Sequence, residues 1–246
     1  MTEDTSERKR VPAEERRRRI LEAVKPVFAD KGFHGATTRE LAEAAGVSEG
    51  LLYKHFPSKE TLFQAIFDAH LEAKLNRPEI GEALATPPST GRLVRSLAIL
   101  IGEIARLEDD CFGQLVLRSL LQDGEFARTV LAGFRRDWFE FFSESLHAAH
   151  EAGDLVVAHA DAEVGIWLTH HLAAALKFFA LPGGPVADYG VSRPVLIDRT
   201  LRFALRGLGL REEALIAQLG PPIRPTEDPE TTAAASANGQ TSRRKP

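Results

Sequence analysis

The residue types with the clearest chemical purpose lie in one short stretch, residues 37–59. Part of this stretch has the pattern of a short helix. Its outward side carries two hydroxyl groups, an ammonium group, an imidazole ring, a glycine and one apolar side chain. Polar groups of these kinds bind phosphate oxygens, glycine lets the backbone come close, and an apolar side chain can contact a thymine methyl group. The residues concerned are Ser48, Gly50, Leu51, Tyr53, Lys54 and His55. The pattern therefore predicts a surface that reads the major groove of DNA.

Two short helices are predicted to position that surface. Thr37 or Thr38 can cap the first helix, and Thr37 followed three residues later by Glu40 has the spacing of a capping box. Gly46 ends it, and Ser48 caps a second helix almost at once. Two short helices joined by such a turn are typical of a helix-turn-helix. The starts of the flanking helices supply the remaining candidate DNA contacts, which are Thr38, Arg39 and Lys59.

The segment from about Arg16 to Phe67 resembles the DNA-binding domain of the TetR family of bacterial regulators. The family pattern near its recognition helix is glycine, a small or apolar residue, leucine, tyrosine, any residue, histidine or tyrosine, and phenylalanine, ending in Ser-Lys-Glu. In this chain the pattern is carried by Gly50, Leu51, Leu52, Tyr53, Lys54, His55, Phe56, Pro57, Ser58, Lys59 and Glu60. The resemblance covers roughly a fifth of the chain, and the remainder matches the family only in helical layout and length.

The predicted fold class is all-α, with an N-terminal three-helix domain containing the helix-turn-helix and a larger helical domain for ligand binding and dimerisation. We expect a disordered arm at 1–12, the DNA-binding domain at 13–60, the helical domain at 61–220 and a disordered tail at 221–246. A helix at 59–76 is expected to connect the two domains. Helices are also predicted near 91–108, 112–122, 125–152, 161–180, 194–208 and 211–219. The intervening segment 77–90 is rich in helix breakers and marks the domain boundary.

Composition limits the possible classes of protein. The 246 residues carry a formal net charge of −4, which by itself would argue against a nucleic-acid binder. However, only the surface that meets phosphate needs to be positive. A single cysteine, Cys111, excludes an internal disulfide and fits a reducing cytoplasm. No apolar run reaches the roughly 18 residues that span a bilayer, so we expect a cytoplasmic protein without a membrane anchor.

Four consecutive arginines, Arg16 to Arg19, begin the first long helix. They could contact the DNA backbone, or they could form a solvated surface paired with Glu14, Glu15 and Glu22. The residues themselves favour neither interpretation. Further along this helix, Pro26 removes a backbone hydrogen bond, and we expect a kink there.

The second half of the chain carries more aromatic residues than one buried helical stripe requires. Aromatic side chains around a common interior, with a few polar groups, suit a pocket for an apolar ligand, although a plain core is the simpler interpretation for any one of them. The resemblance implies such a pocket for a small-molecule effector. Its candidate residues are Phe112, Phe134, Trp138, Phe142, Trp167, His170, His171 and Phe178.

Neither a metal site nor a catalytic site is predicted. His170 and His171 are adjacent, so they point about 100° apart on a helix and cannot share one metal ion. His147 and His150 are suitably spaced, but we find no second pair to complete a structural zinc site. Since no nucleophile is paired with a base and no glycine-rich phosphate loop is present, we expect no enzyme activity and no cofactor.

The resemblance implies a homodimer formed by the helices at 161–180 and 194–208. Two recognition helices about 34 to 36 Å apart, or a multiple of that, would read a palindromic operator in double-stranded DNA. The leading hypothesis is a ligand-released transcriptional repressor. Two alternatives remain: a DNA-binding regulator controlled by a protein partner, and a helical carrier or enzyme that retains the DNA-binding segment.

Overall fold

The computed structural model describes residues 12–106, 110–156, 162–181 and 186–223, and these ranges form eleven α-helices. Their bounds are α1 Ala13–Gly35, α2 Thr38–Ala44, α3 Glu49–His55, α4 Lys59–Leu75, α5 Pro78–Ala85, α6 Thr90–Ala105, α7 Asp110–Leu121, α8 Glu125–Glu151, α9 Ala162–Phe178, α10 Arg193–Gly207 and α11 Glu212–Leu219. The described ranges contain no β-strand, only an isolated antiparallel bridge between Leu155 and Leu210. The all-α fold class is therefore confirmed.

The helices after α5 begin and end within three residues of their predicted bounds. The short helix α5 was not predicted, because Pro78 was interpreted as a breaker. It occupies the first turn of α5, where proline loses no helical hydrogen bond. The predicted disordered arm and tail fall outside the described residues, apart from Pro12 and residues 221–223.

The chain forms two compact units, here called unit 1 and unit 2. Unit 1 comprises residues 1–74 and 114–128, and unit 2 comprises 75–113 and 129–246. The predicted DNA-binding domain ended at residue 60, before the breaker-rich segment 77–90, so unit 1 is larger than that predicted domain. The additional helices complete its core, because the ring of Phe63 in α4 lies 4.9 Å from that of Phe28 and 4.5 Å from that of Phe126.

Helix α1 supplies the central stripe of unit 1. Leu21, Val24 and Phe28 recur at helical spacing and are buried. The helix continues through Pro26, and its backbone departs from helical angles only at Gly32, where φ is 72°. The backbone angles at Pro26 stay helical, and the expected kink there stays a prediction. Because Pro26 is exposed, the carbonyl that it leaves without an amide partner lies on the solvent side of the helix.

Unit 2 is built around α6. This helix packs against α9 and α10, and its residues Leu93, Leu97 and Ile101 are completely buried. Phe142 of α8 and Leu205 of α10 belong to the same hydrophobic cluster. No helix among the described residues combines the length and the apolar character needed to cross a membrane.

Candidate nucleic-acid interface

Helix α2 begins with the predicted capping box. The hydroxyl of Thr37 accepts a hydrogen bond from the Glu40 amide at 3.3 Å, and the Thr37 amide donates to the Glu40 carboxylate at 3.0 Å. That carboxylate also binds the Lys31 ammonium. The bond from Lys31, followed by the bonds from the Thr37 amide and hydroxyl, lowers the pKa of Glu40 to about 2. Glu40 therefore stays ionised at neutral pH and ties the start of α2 to α1.

The turn between α2 and α3 has the geometry that Gly46 permits. Its φ of 64° lies in the left-handed region, which other residues adopt at a cost. The Gly46 amide donates to the carbonyl of Glu43 at 3.0 Å, and the Val47 amide donates to that of Ala42 at 3.0 Å. These two bonds form a Schellman motif that satisfies the last carbonyls of α2. The chain can then reverse direction within three residues.

Helix α3 is held at both ends, and its inner side is buried. Ser48 caps its first turn by accepting a hydrogen bond from the Leu51 amide at 3.2 Å. Leu52 and Phe56 are 2% and 1% exposed, so they fix one side of the helix in the core of unit 1. The opposite side faces solvent. This arrangement of α2, turn and α3 is a helix-turn-helix with α3 as the recognition helix.

The structure brings most of the predicted DNA contacts to one surface. Ser48, Gly50, Tyr53 and Lys54 are exposed, while Leu51 and His55 are half-buried. The hydroxyls of Thr38 and Tyr53 lie 3.0 Å apart, which joins the start of α2 to α3. Two of the predicted DNA contacts thus lie side by side, and their binding to phosphate stays a prediction.

Two of the predicted cationic contacts are already engaged within unit 1. Arg39 donates to the Glu43 carboxylate at 3.1 Å on the exposed side of α2. The Lys59 ammonium donates to the carbonyls of Phe33 and Ala36 at 2.7 and 3.1 Å and lies over the Phe33 ring. Lys59 therefore holds the end of α1 against the start of α4. Phosphate contacts from Arg39 and Lys59 stay predictions.

The arginine run of α1 divides into residues with different surroundings. Arg18 and Arg19 both bind the carboxylate of Glu15, and their side chains are 68% and 65% exposed. For these two residues, the geometry favours the solvated interpretation. Arg17 turns inward toward α3, which sequence analysis missed because it treated the four arginines as one group.

Unit 2 brings four of the eight candidate ligand residues into one aromatic cluster. The Phe134 ring lies 5.6 Å from the ring of Trp167 and 4.5 Å from that of His170, and Trp167 stacks on His171 at 5.6 Å. Phe139, which was not among the candidates, lies 5.0 Å from Trp167. Its spacing of five residues from Phe134 corresponds to about 140° around α8, so helical periodicity gave no signal for it.

Two of the other four candidates, Trp138 and Phe142, belong to the same hydrophobic cluster as Phe134 and Trp167. Trp138 and Phe142 are 6.3 Å apart on α8, with Phe142 fully buried. Phe112 is buried on α7, and Phe178 is half-buried at the end of α9. Among the described residues, no group of three or more histidine, cysteine or acidic side chains could hold a metal ion.

The fold and the arrangement around α3 define a DNA-binding protein of the helix-turn-helix class with a second, helical unit. Residues 20–66 match the model of the bacterial regulatory proteins of the TetR family. These residues carry the DNA-binding domain of that family of transcriptional regulators.

Individual relatives match different lengths of the chain. Over 63 residues it is 44% identical to the transcriptional activator FasR of Mycolicibacterium smegmatis, a match that spans 26% of this chain and 29% of FasR. Over 147 residues it is 29% identical to the transcriptional regulator UidR of Escherichia coli, spanning 58% of this chain and 70% of UidR. The solved structure of a TetR-family regulator from Rhodococcus RHA1 superimposes with a TM-score of 0.61 at 25% identity, covering 80% of this chain and 99% of that one. The match of higher identity is thus the shorter one.

Proposed function

We propose that this protein is a cytoplasmic transcriptional repressor that binds a palindromic operator as a homodimer and leaves it when a small apolar or amphipathic effector binds unit 2. The observation that carries the proposal is the solvent-facing side of α3. This seven-residue helix is capped at Ser48, anchored by Leu52 and Phe56, and presents Tyr53 and Lys54 outward. A helix held in this way can enter the major groove as a rigid body.

Leu51 is the proposed base-reading residue, because its apolar side chain can contact a thymine methyl group. Selection of bound DNA from a random pool by the Leu51→Thr variant tests this role. We expect the preferred base to change at one position in each half-site. The free energy of unfolding, measured by thermal unfolding, should stay within about 0.5 kcal/mol of the wild-type value, as for substitutions away from a core. An identical selected site would remove Leu51 from base reading.

The proposed dimer is formed by α9 and α10, which pack side by side. Both present large apolar side chains to solvent: Leu168 on α9 is 63% exposed and Phe203 on α10 is 69% exposed. Val164, one turn before Leu168, is 56% exposed. A stripe of this kind across two adjacent helices suits a four-helix interface between two copies of the chain.

Sedimentation of charged variants tests the dimer. Phe203→Glu places a carboxylate inside the proposed interface, so we expect monomers and loss of operator binding. Ile216→Glu is the matched control, since Ile216 is also exposed, at 49%, but lies on α11. If Phe203→Glu stays dimeric, this surface is not the interface.

The proposed effector site lies among the aromatic residues of α8 and α9. Two observations support it. First, Phe134, Trp167 and His170 supply stacking surface together with a polar ring. Second, helix α6 packs against α9 and carries the Ser96 hydroxyl, which is buried and has no hydrogen-bond partner among the described residues. A buried hydroxyl without a partner is costly, and a ligand oxygen or nitrogen could supply the missing bond.

Such a ligand would bind one geometry of the dimer more tightly than another and would therefore shift the protein toward that geometry. A difference of a few kcal/mol in effector affinity between two states is enough to release the operator. Screening apolar and amphipathic compounds by tryptophan fluorescence, and then by operator release, tests the site. We expect Trp167→Phe to abolish most of the fluorescence change. A compound that releases the operator and leaves the fluorescence of both tryptophans unchanged would place the effector elsewhere, and no active compound would favour control by a protein partner.

A further inference from the structure

From the contacts of Arg17 we infer that this residue positions the recognition helix by clamping its C-terminal end to α1. The inference rests on the proposed DNA-reading role of α3. It separates Arg17 from its three neighbouring arginines and gives it a role in operator specificity.

Arg17 continues the buried stripe of α1 by one turn. It precedes Leu21, Val24 and Phe28 at spacings of four, seven and eleven residues, which keeps it on the same side of the helix. Its side chain is half-buried, whereas Arg18 and Arg19 point to solvent. Helical geometry therefore directs one arginine of the four toward α3.

The Arg17 guanidinium makes two contacts at the end of α3. It donates a hydrogen bond to the backbone carbonyl of His55 at 2.7 Å. It also lies over the ring of Phe56, with 4.2 Å between the guanidinium carbon and the ring centre. The carbonyls at a helix C-terminus carry partial negative charge, so a cation there is favourable, and a guanidinium over an aromatic ring adds a cation–π interaction.

This clamp matters because α3 is only seven residues long. A short helix has few backbone hydrogen bonds of its own, and its end frays unless other contacts hold it. Tyr53, Lys54 and His55 all lie in the last turn, which Arg17 holds. When that turn frays, their side chains lose the fixed spacing that base and phosphate contacts require.

A positioning residue and a phosphate contact respond differently to substitution. Arg17→Lys keeps the charge but lacks the planar fork that both donates to the carbonyl and stacks on the ring. If Arg17 bound phosphate, lysine would largely replace it. If Arg17 positions α3, operator affinity falls while electrostatic binding to generic DNA does not.

The test measures operator and generic DNA affinities over a series of salt concentrations for Arg17→Lys and for the matched control Arg18→Lys. For Arg17→Lys we expect operator affinity to fall about tenfold, generic affinity to change less than about twofold and the salt slope to stay the same, because one charged hydrogen bond and one cation–π contact are weakened without loss of charge. Arg18→Lys should match the wild type. Wild-type operator affinity in Arg17→Lys, or equal losses on both DNAs, would overturn the inference.

Two further measurements keep the inference testable on its own. Phe56→Leu removes the ring but retains an apolar side chain, and combining it with Arg17→Lys should lower operator specificity less than the product of the single effects, because the two residues share one contact.

Amide hydrogen exchange in the free protein should be faster at Phe56 in Arg17→Lys than in Arg18→Lys. If the wild type selects no operator, the proposed function fails, and the exchange result alone decides whether Arg17 holds the end of α3. Unchanged exchange would then overturn the clamp.

Discussion

The two units use polar side chains in different ways to hold their helices. In unit 1, the polar contacts lie at helix ends near the surface, as with Thr37, Ser48 and Lys59. In unit 2, two arginines are buried within the helix packing. Arg92 is 5% exposed and Arg202 is 3% exposed. Beside their hydrophobic cores, unit 1 is therefore joined mainly by small polar contacts near the surface, whereas unit 2 also has two buried arginines.

The buried arginines each join several segments. Arg92 of α6 donates to the hydroxyl of Ser145, to the carbonyl of Phe141 and to the carboxylate of Glu144, all on α8. Arg202 of α10 pairs with Asp198 and donates to the three carbonyls of residues 219–221, at the end of α11. Because a buried charge is costly without partners, these residues tolerate substitution poorly. Removing a cap at the surface should lower the free energy of unfolding less than removing a buried arginine. Substitutions of the two kinds can therefore be compared by unfolding experiments.

The largest expected effect is that of Arg202→Met. The substitution leaves the largely buried carboxylate of Asp198 without its partner and the carbonyls at the end of α11 without a donor. We expect the free energy of unfolding to fall by about 3 kcal/mol. Urea unfolding measures it, with Arg206→Met as the control, since Arg206 pairs with Glu212 at the surface and should change stability by no more than about 0.5 kcal/mol. Equal losses in the two variants would contradict the difference between buried and surface contacts.

A smaller effect is expected for the turn of unit 1. Gly46→Ala forces a left-handed backbone on a residue with a side chain, although nothing lies within 4 Å of the new methyl group. We expect a loss of about 1 to 2 kcal/mol from backbone strain alone. Gly50→Ala, inside α3, should instead stabilise the free protein by about 0.5 to 1 kcal/mol. If thermal unfolding shows the same change for both glycines, backbone conformation does not govern this turn.

The smallest effect concerns the capping box at α2. The pKa of Glu40 is about 2 in the folded protein, below the ordinary value of 4.5. The unfolded chain therefore takes up this proton first, so the stabilisation is present above the ordinary pKa and is lost as the pH falls toward 2. We expect the difference in melting temperature between the wild type and Glu40→Gln to shrink on acidification. A difference that is constant with pH would show that the ionised carboxylate of Glu40 does not stabilise α2.

The contacts of unit 1 between residues close together in the chain were predictable from the sequence, whereas those of the buried arginines in unit 2 were not. The capping box at Thr37, the turn at Gly46 and the cap at Ser48 each involve residues three to five positions apart, so their spacing was visible in the sequence and the predictions were confirmed. Arg202 contacts residues 17 to 19 positions away, and Arg92 contacts residues about 50 positions away. Such contacts have no local pattern, since they depend on how helices pack.

The candidate sites were predictable to a similar extent. The exposed side of α3 followed from the helical period and the family pattern. The engagement of Lys59 with the end of α1 did not, because Phe33 lies 26 residues earlier. In unit 2, the sequence indicated which helices are aromatic, but only packing brings Phe134 of α8 next to Trp167 and His170 of α9. Side chains that meet across helices cannot be read from periodicity alone.

Selection of bound DNA from a random pool by the wild-type protein, at about 150 mM salt, most directly tests the claim that α3 reads DNA. We expect an enriched palindrome whose half-sites lie about 34 to 36 Å apart, or a multiple of that distance, as two recognition helices on a symmetric dimer require. A folded dimer that enriches no sequence, with or without candidate effectors, would contradict it. A helical carrier or enzyme that retains the DNA-binding segment would then be the better account.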